Sequence, residues 1–541
     1  MRSVKKKLGA LALSAALVGT SLPLSAAAAS FRDVVPGSWY SRAVYDLADQ
    51  GILNGTSATT FSPEASLTRG AFITMLARTA LTAGELSQYG TKGNFKDVST
   101  GHWANQAVNW GVEAGVIHGM GDGTFKPDQA VSRQDMAVMV TNFAKAMGYE
   151  MPTDEGGGSF SDASSIASYA KASVTACQKA GVIDGYEDGS FRPNASASRA
   201  EAAVLYQRFL DNCPEGDFQI LRKRVRGVAV RGVEFEPYEL TAGLALGGDR
   251  VTGGESPTSL VKRTGARIAV NAAFFNMDSY LPIGTLIDEG RVLTSDNTYA
   301  PAKSAFVMDS VGNFSIQNFS TNTTATLYKA DGSTSVAEKV VVNRQPSSPS
   351  DGARILFTRD WGKSLGFTAR YAVAFDQDGT ILQVGENQDM AIPEDGYVLA
   401  QRGQRPFETD FFPSCQKGLT IWIDQSYQGA AREDIQLSIG AGPRIVKDGA
   451  VYGNASTYAA EGFSGFASGA AVRVAAGIKE DGSLVLVVAN TTLSTLSQIL
   501  VDLGCEDAIN FDGGGSSNLY VDGQWLYGPQ ERLLNTLLYF K

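Results

Sequence analysis

Asp512-Gly-Gly-Gly-Ser-Ser517 puts one carboxylate, three glycines and two hydroxyls in six consecutive residues. Glycine lets a backbone approach a ligand closely, and successive N–H groups in such a loop can cradle an anion. Ser516 and Ser517 add hydroxyl donors, and Asp512 can face the same ligand. A flexible linker has a similar composition, but it is longer and does not sit between two strands. From Phe218 to Lys541 the sequence contains no histidine. That absence removes a Ser-His-Asp triad, a Cys–His pair and a His-bound zinc. Proton chemistry there falls to carboxylates, tyrosine, lysine or water, the toolkit of glycoside cleavage.

Short strands and turns must hold this loop. Arg267-Ile-Ala-Val predicts a strand running into Asn271-Ala-Ala-Phe-Phe275. Arg473-Val-Ala-Ala-Gly-Ile, the turn Asp481-Gly482 and Leu484–Val488 predict a hairpin. Leu496, Ile499, Leu500 and Leu503 follow at helical spacing, and Gly504 ends that helix. Ala508–Phe511 is a strand with Asp512 at its end, and Asp522-Gly523 turns a final hairpin.

The first two hundred residues are different. Phe31-Arg-Asp-Val, Phe95-Lys-Asp-Val and Phe160-Ser-Asp-Ala open three aligned segments, 64 and 65 residues apart. Each continues with a Gly-Ile-Leu-Asn-Gly-like turn, a Thr-Phe-Ser-Pro-like loop and Thr68-Arg69, Ser132-Arg133 or Ser198-Arg199. Each reads as helix, loop, helix, with Thr68, Ser132 and Ser198 capping the second helix. These segments resemble the S-layer homology (SLH) domain. The resemblance implies non-covalent binding to a secondary cell-wall polymer, often one bearing pyruvylated sugars. Arg69, Arg133 and Arg199 are the candidates to grip a ketal carboxylate, and Trp39 and Trp103 could pack on sugar. The third segment has Ser168-Tyr169 near the tryptophan position. His102 and His118 replace Ser or Asn/Asp between segments and read as local hydrogen-bonders.

The C-terminal part, taken as Asp512–Ser517 with Asn271–Phe275, Gly442-Pro443, Arg473 and Glu531-Arg532…Asn535, resembles the phosphodiester glycosidase family. Its best-known animal member uncovers mannose-6-phosphate tags. The resemblance implies hydrolysis of a sugar-1-phosphodiester, with N-acetylglucosamine one candidate sugar. It implies Asp512, Arg473, Asn271 and Glu531 as catalytic residues. Arg473 would hold phosphate, Asp512 would face the anomeric carbon, and Asn271 would fix a sugar hydroxyl or water. Gly513, Gly514, Gly515, Ser516, Ser517, Arg532 and Asn535 would bind substrate. Asp278, Glu289 and Glu531 are possible second carboxylates, so retention and inversion both stay open. The chain departs from the family's Asn-Gly-Gly-Phe-Phe at Ala272 and Ala273.

The 541 residues exceed one core, and the net charge of −10 argues against general nucleic-acid binding. Arg2, Lys5–Lys7, the apolar run Leu8–Val18 and Ser25–Ala29 form a secretory signal. The expected organisation is a signal peptide at 1–29, SLH repeats at 31–90, 95–150 and 160–211, a linker at 212–217 and a glycosidase domain at 218–541. The expected fold is an all-α array of three packed units followed by an α+β mixed-sheet catalytic domain. The four cysteines allow three pairings; Cys177–Cys213 with Cys415–Cys505 competes with four free thiols. No cofactor and no metal site is called for, though a divalent cation stays open. The reading is a wall-tethered, secreted hydrolase with a phosphosugar substrate, no nucleic-acid partner and no transmembrane segment. Two rivals stand beside it: a non-catalytic phosphosugar-binding module, and a structural surface-layer protein.

Overall fold

The structure, a computed structural model, describes residues 30–541 except 91–92, 154–158, 297–302, 405–410, 430–433 and 464–468. The expected signal peptide lies outside the described residues.

The three repeats close into a ring. Their second helices are Arg69–Ala80, Arg133–Met147 and Arg199–Asn212. Thr68, Ser132 and Ser198 cap them, each side chain accepting the backbone N–H three residues on. Just before these caps, Leu67 N donates to Ala197 O (2.9 Å), Ala197 N to Val131 O (3.1 Å) and Val131 N to Leu67 O (2.9 Å). Each repeat therefore donates to one neighbour and accepts from the other. One helix pair is too small to bury a core, so the three share one, with Phe72, Phe143, Tyr206 and Phe209 at its centre. The array is helix and loop rather than helix alone. Isolated β-bridges join Ser66 to Ser198, Thr68 to Ala130 and Ser132 to Ser196. The expected linker is pinned rather than free: Glu215 bridges Tyr149, and Gly216 N donates to Gly148 O at 2.9 Å.

Beyond Phe218 the chain is sheet-rich. A seven-stranded sheet runs Gln219–Val225, Val228–Phe235, Leu484–Thr491, Ala471–Lys479, Cys505–Phe511, Arg444–Lys447, Ala450–Val451. A five-stranded sheet runs Gln524–Tyr527, Leu519–Val521, Ile268–Asn271, Thr536–Phe540, Ala242–Leu246. A larger third sheet is mixed, since Thr334–Val342 and Arg354–Phe357 pair in parallel. The expected helix forms as Leu493–Asp502 and ends before Gly504, which takes φ +85°. All four cysteines are buried free thiols, so the expected pairings do not form. Among the described residues no helix is long and apolar enough to cross a membrane.

Candidate active site

The glycine loop leaves the seven-stranded sheet at Phe511 and enters the five-stranded sheet at Leu519. It is a crossing between two sheets, held at both ends. Each glycine has its own reason. A Cβ on Gly513 would lie 2.5 Å from Val472 O, a backbone atom that cannot step aside. Gly514 takes φ +61°. A Cβ on Gly515 would lie 2.9 Å from Cζ of Arg532, whose guanidinium rests over that residue.

Asp512 is half-buried, and its carboxyl lies among protein atoms rather than in open water. Burial pushes it up to about 6, against the pull of the Ser516 hydroxyl, the Gly513 N–H and the Arg532 charge. Gly513 N donates to Asp512 Oδ1 at 2.9 Å. The Ser516 hydroxyl sits beside the carboxyl but short of ordinary hydrogen-bond geometry. Ser516 Oγ, Ser517 Oγ and Asn510 Oδ1 are all buried with no hydrogen-bond partner. Buried polar atoms are normally satisfied, so these three have hydrogen-bonding capacity to offer a bound group.

Arg473 comes to this loop through strand register. Val474 pairs with Phe511, which sets Arg473 beside Asp512. Its side chain is buried, and Nη2 donates to Gly469 O at 3.1 Å. Burial lowers its pKa. The Arg473 backbone runs against Gly513, whereas Arg532 is exposed and its guanidinium lies over Gly515.

Four expected roles change. Asn271 does not reach out to substrate: its Nδ2 donates to Asp512 O (2.7 Å) and its Oδ1 accepts from Asn518 N (2.8 Å). It clamps both ends of the glycine loop. Asn535 is likewise structural, donating to Arg250 O, Val251 O and Gly253 O at 3.3, 3.0 and 2.9 Å. Glu531 is exposed and makes no hydrogen bond or ion pair among the described residues, so nothing joins it to Asp512. The loop amides are less available than the glycine count implies. Gly513 N turns to Asp512, while Ser516 N and Ser517 N close a turn on Gly513 O and Gly514 O. At most the Gly514 and Gly515 amides remain for an outside oxygen.

Asp278 and Glu289 are exposed in turns. A carboxylate overlooked in the sequence, Glu461, is buried and accepts Ser304 N at 2.9 Å. A Cβ on Gly442 would meet its Oε2 at 3.3 Å, and Gly442 N donates to Asn510 O at 3.0 Å. The Gly442-Pro443 pair was the only sequence signal for this wall. Among the described residues no cluster of His, Cys, Asp and Glu could hold a metal ion.

In the array, Arg69 Nε donates to Phe125 O (2.9 Å) and Nη1 to Asp135 (2.9 Å). Arg133 repeats this with Phe191 O (2.9 Å) and Glu201 (3.4 Å). Arg199 donates from Nε to Phe61 O (2.8 Å) and from Nη2 to Asn54 O (2.6 Å). Arg69 and Arg133 are buried and act as ties between repeats; Arg199 is half-exposed. Trp39 and Trp103 are 64% and 58% exposed, the usual state of neither a core nor an inert surface tryptophan.

Comparison with known proteins finds matches to two families, in this order along the chain. The S-layer homology domain matches residues 30–73, 94–137 and 159–203, and the phosphodiester glycosidase family matches 383–541. An endoglucanase of Bacillus sp. (strain KSM-635) is 28% identical over 46% of this chain and 27% of that protein. The cellulosome-anchoring protein of Acetivibrio thermocellus is 30% identical over 30% of this chain and 36% of that protein. S-layer protein EA1 of Bacillus anthracis is 35% identical over 23% of this chain and 14% of that protein. The chain thus spans well under half the length of these relatives. A hypothetical protein from Synechocystis shares the fold, with TM-score 0.51, 22% identity and coverage of 60% of this chain and 61% of that one.

Proposed function

We propose a reaction for a chain that carries three S-layer homology domains and a phosphodiester glycosidase domain, and that belongs to the cell surface. The reaction is hydrolysis of a sugar-1-phosphodiester in wall polymer or exopolysaccharide, N-acetylglucosamine being one candidate sugar. Water forms the new bond to the anomeric carbon and releases one proton to solvent. The bond from that carbon to the phosphate oxygen breaks, and its electron pair leaves on a phosphomonoester. Phosphate needs little protonation to leave, so the work is electrostatic.

The observation that carries this reading is the meeting of Asp512 and the Ser516 hydroxyl on the glycine loop with Arg532, which reaches over Gly515 from beyond the last hairpin. Arg532 and the hydroxyls of Ser516 and Ser517 hold the phosphoryl oxygens. Arg473, set beside Asp512 by strand register, is a second cation of the site. Ionised Asp512 faces the positive charge that grows on the sugar ring. Asn271 and Asn535 act as positioning residues. The array attaches the enzyme to a wall polymer, which raises its concentration near an immobile substrate.

The test is sugar release from a UDP-sugar or an aryl sugar-1-phosphodiester by the whole mature chain. Turnover by the parent, abolished in Asp512→Asn and weakened but still measurable in Arg532→Ala, supports the reading. Saturable binding without turnover favours a phosphosugar-binding module instead, and ordered self-assembly without either favours a lattice protein.

A further inference from the structure

Two loops tied to the glycine loop carry exposed apolar side chains. The first is the tight turn that follows Asn271-Ala-Ala. Ala272 O accepts Asp512 N at 3.0 Å, so the turn starts beside Asp512. It folds back on itself between Phe274 and Ile283. Tyr280 N donates to Asn276 O (2.8 Å), Asn276 N to Leu281 O (2.9 Å) and Ile283 N to Phe274 O (2.7 Å). Asn276 Oδ1 closes the tip by accepting Asp278 N and Ser279 N. Polar residues suffice to make such a turn, yet Met277 at its tip is 53% exposed and Ile283 at its base 45%.

The second loop holds Arg532 and Leu533. The Arg532 guanidinium lies over Gly515, and the next side chain, Leu533, is 39% exposed. The two loops are joined. Leu534 and Glu255 exchange both backbone hydrogen bonds, at 2.8 and 3.0 Å. A Cβ on Gly254 would lie 2.6 Å from Cε1 of Tyr280, so that glycine lets the turn close on the strip that holds Leu534. Tyr280 in turn stacks on Phe275, with 5.8 Å between ring centroids. Exposed apolar residues are ordinarily scattered singly. Here three stand on two loops that are locked to each other and to the glycine loop. The charges agree with an apolar ligand. Asp278 follows Met277 and Glu531 precedes Arg532, both acids are exposed, and Arg532 is the one cation in either loop. A ligand there can bring the single negative charge that Arg532 meets, but a chain bearing further phosphates meets two acids.

We infer that the ester group on the far side of the phosphate, the one that leaves, is an apolar chain, and that Met277, Ile283 and Leu533 are the specificity-determining residues that bind it. The inference rests on the proposed hydrolysis and narrows its substrates to sugar-1-phosphodiesters of an apolar alcohol. Water adds to the anomeric carbon, one proton goes to solvent, and an alkyl phosphate leaves with the electron pair. With the phosphate on Arg532, the first carbons of the leaving chain meet Leu533, the next residue. Removing that apolar surface from water favours binding.

Steady-state hydrolysis by the whole mature chain of three diesters of N-acetylglucosamine-1-phosphate, with methyl, octyl or glyceryl as the second ester, tests this. All three carry one negative charge and differ only in the leaving group. The expected order in kcat/KM is octyl, methyl, glyceryl, with octyl ahead of glyceryl by about 10-fold or more, measured below the micelle-forming concentration. Met277→Ser combined with Leu533→Ser should bring that ratio down to about 2-fold. It should not lower the melting temperature, since both side chains are exposed. Met277→Leu combined with Leu533→Met keeps the surface apolar and should keep the preference. Sugar release with no preference among the three, or an unchanged ratio in the folded serine variant, overturns the inference and leaves the reaction standing. No release from any of the three overturns the proposed reaction and the inference with it.

Discussion

Replacing Asp512 with asparagine should abolish activity and at the same time stabilise the protein at neutral pH. Burial moves this carboxyl from 3.8 to about 6. The native state therefore holds the proton more tightly than the unfolded chain does. Between those two values the native state binds more protons, and stability falls as pH rises through the window. Above about pH 6 the wild type bears the whole cost of the buried charge, an upper bound of about 3 kcal/mol at 1.36 kcal/mol per decade. Solvent reaches part of the residue, so about 1–2 kcal/mol is the working figure. Asparagine is neutral, and its Oδ1 can still accept the Gly513 N–H. The variant should thus gain about 1–2 kcal/mol at pH 7 and nothing near pH 4. The array and the sheet-rich region have separate cores, so a global melt is the wrong probe. Hydrogen exchange of peptides covering Cys505–Phe511, in urea at both pH values, reads the right region. A variant less protected than wild type at pH 7, or equally advantaged at pH 4, refutes the reasoning.

Removing the Arg532 charge lets the Asp512 carboxyl rise further, so the acid limb of kcat/KM in Arg532→Ala should move to higher pH; an unmoved limb counts against the pair. Gly515→Ala displaces only the mobile end of Arg532, so it should cost under about 1 kcal/mol of stability but raise KM. Gly513→Ala meets backbone and should cost more than about 2 kcal/mol. Urea midpoints and steady-state kinetics distinguish the two glycines. Asn535→Ala orphans three carbonyls and should destabilise by about 2–4 kcal/mol, with KM of the surviving folded enzyme nearly unchanged. A normal midpoint with a raised KM would return Asn535 to the substrate.

Local signals were legible where the physics is local. The caps at Thr68, Ser132 and Ser198, the helix stop at Gly504 and the Asp522-Gly523 hairpin depend on a few neighbouring residues, and each formed as expected. Asn271 and Asn535 misled because a buried amide and a substrate-binding amide look alike in one dimension. Only the fold reveals that their partners are backbone atoms 241 to 284 residues away. Glu461 carried no motif; it matters because a distant glycine leaves it room.

By itself the sequence determined the repeat, the glycine loop, the absence of histidine beyond Phe218 and so the class of chemistry open to the C-terminal region. Those follow from residue type and spacing, which no folding event alters. Which arginine meets an acid and which meets backbone carbonyls instead, and whether a carboxyl titrates near 4 or near 6, were decided only in three dimensions. Charge balance and desolvation depend on distance between atoms, and in a ring of repeats or a crossing of two sheets the nearest atoms come from far along the chain.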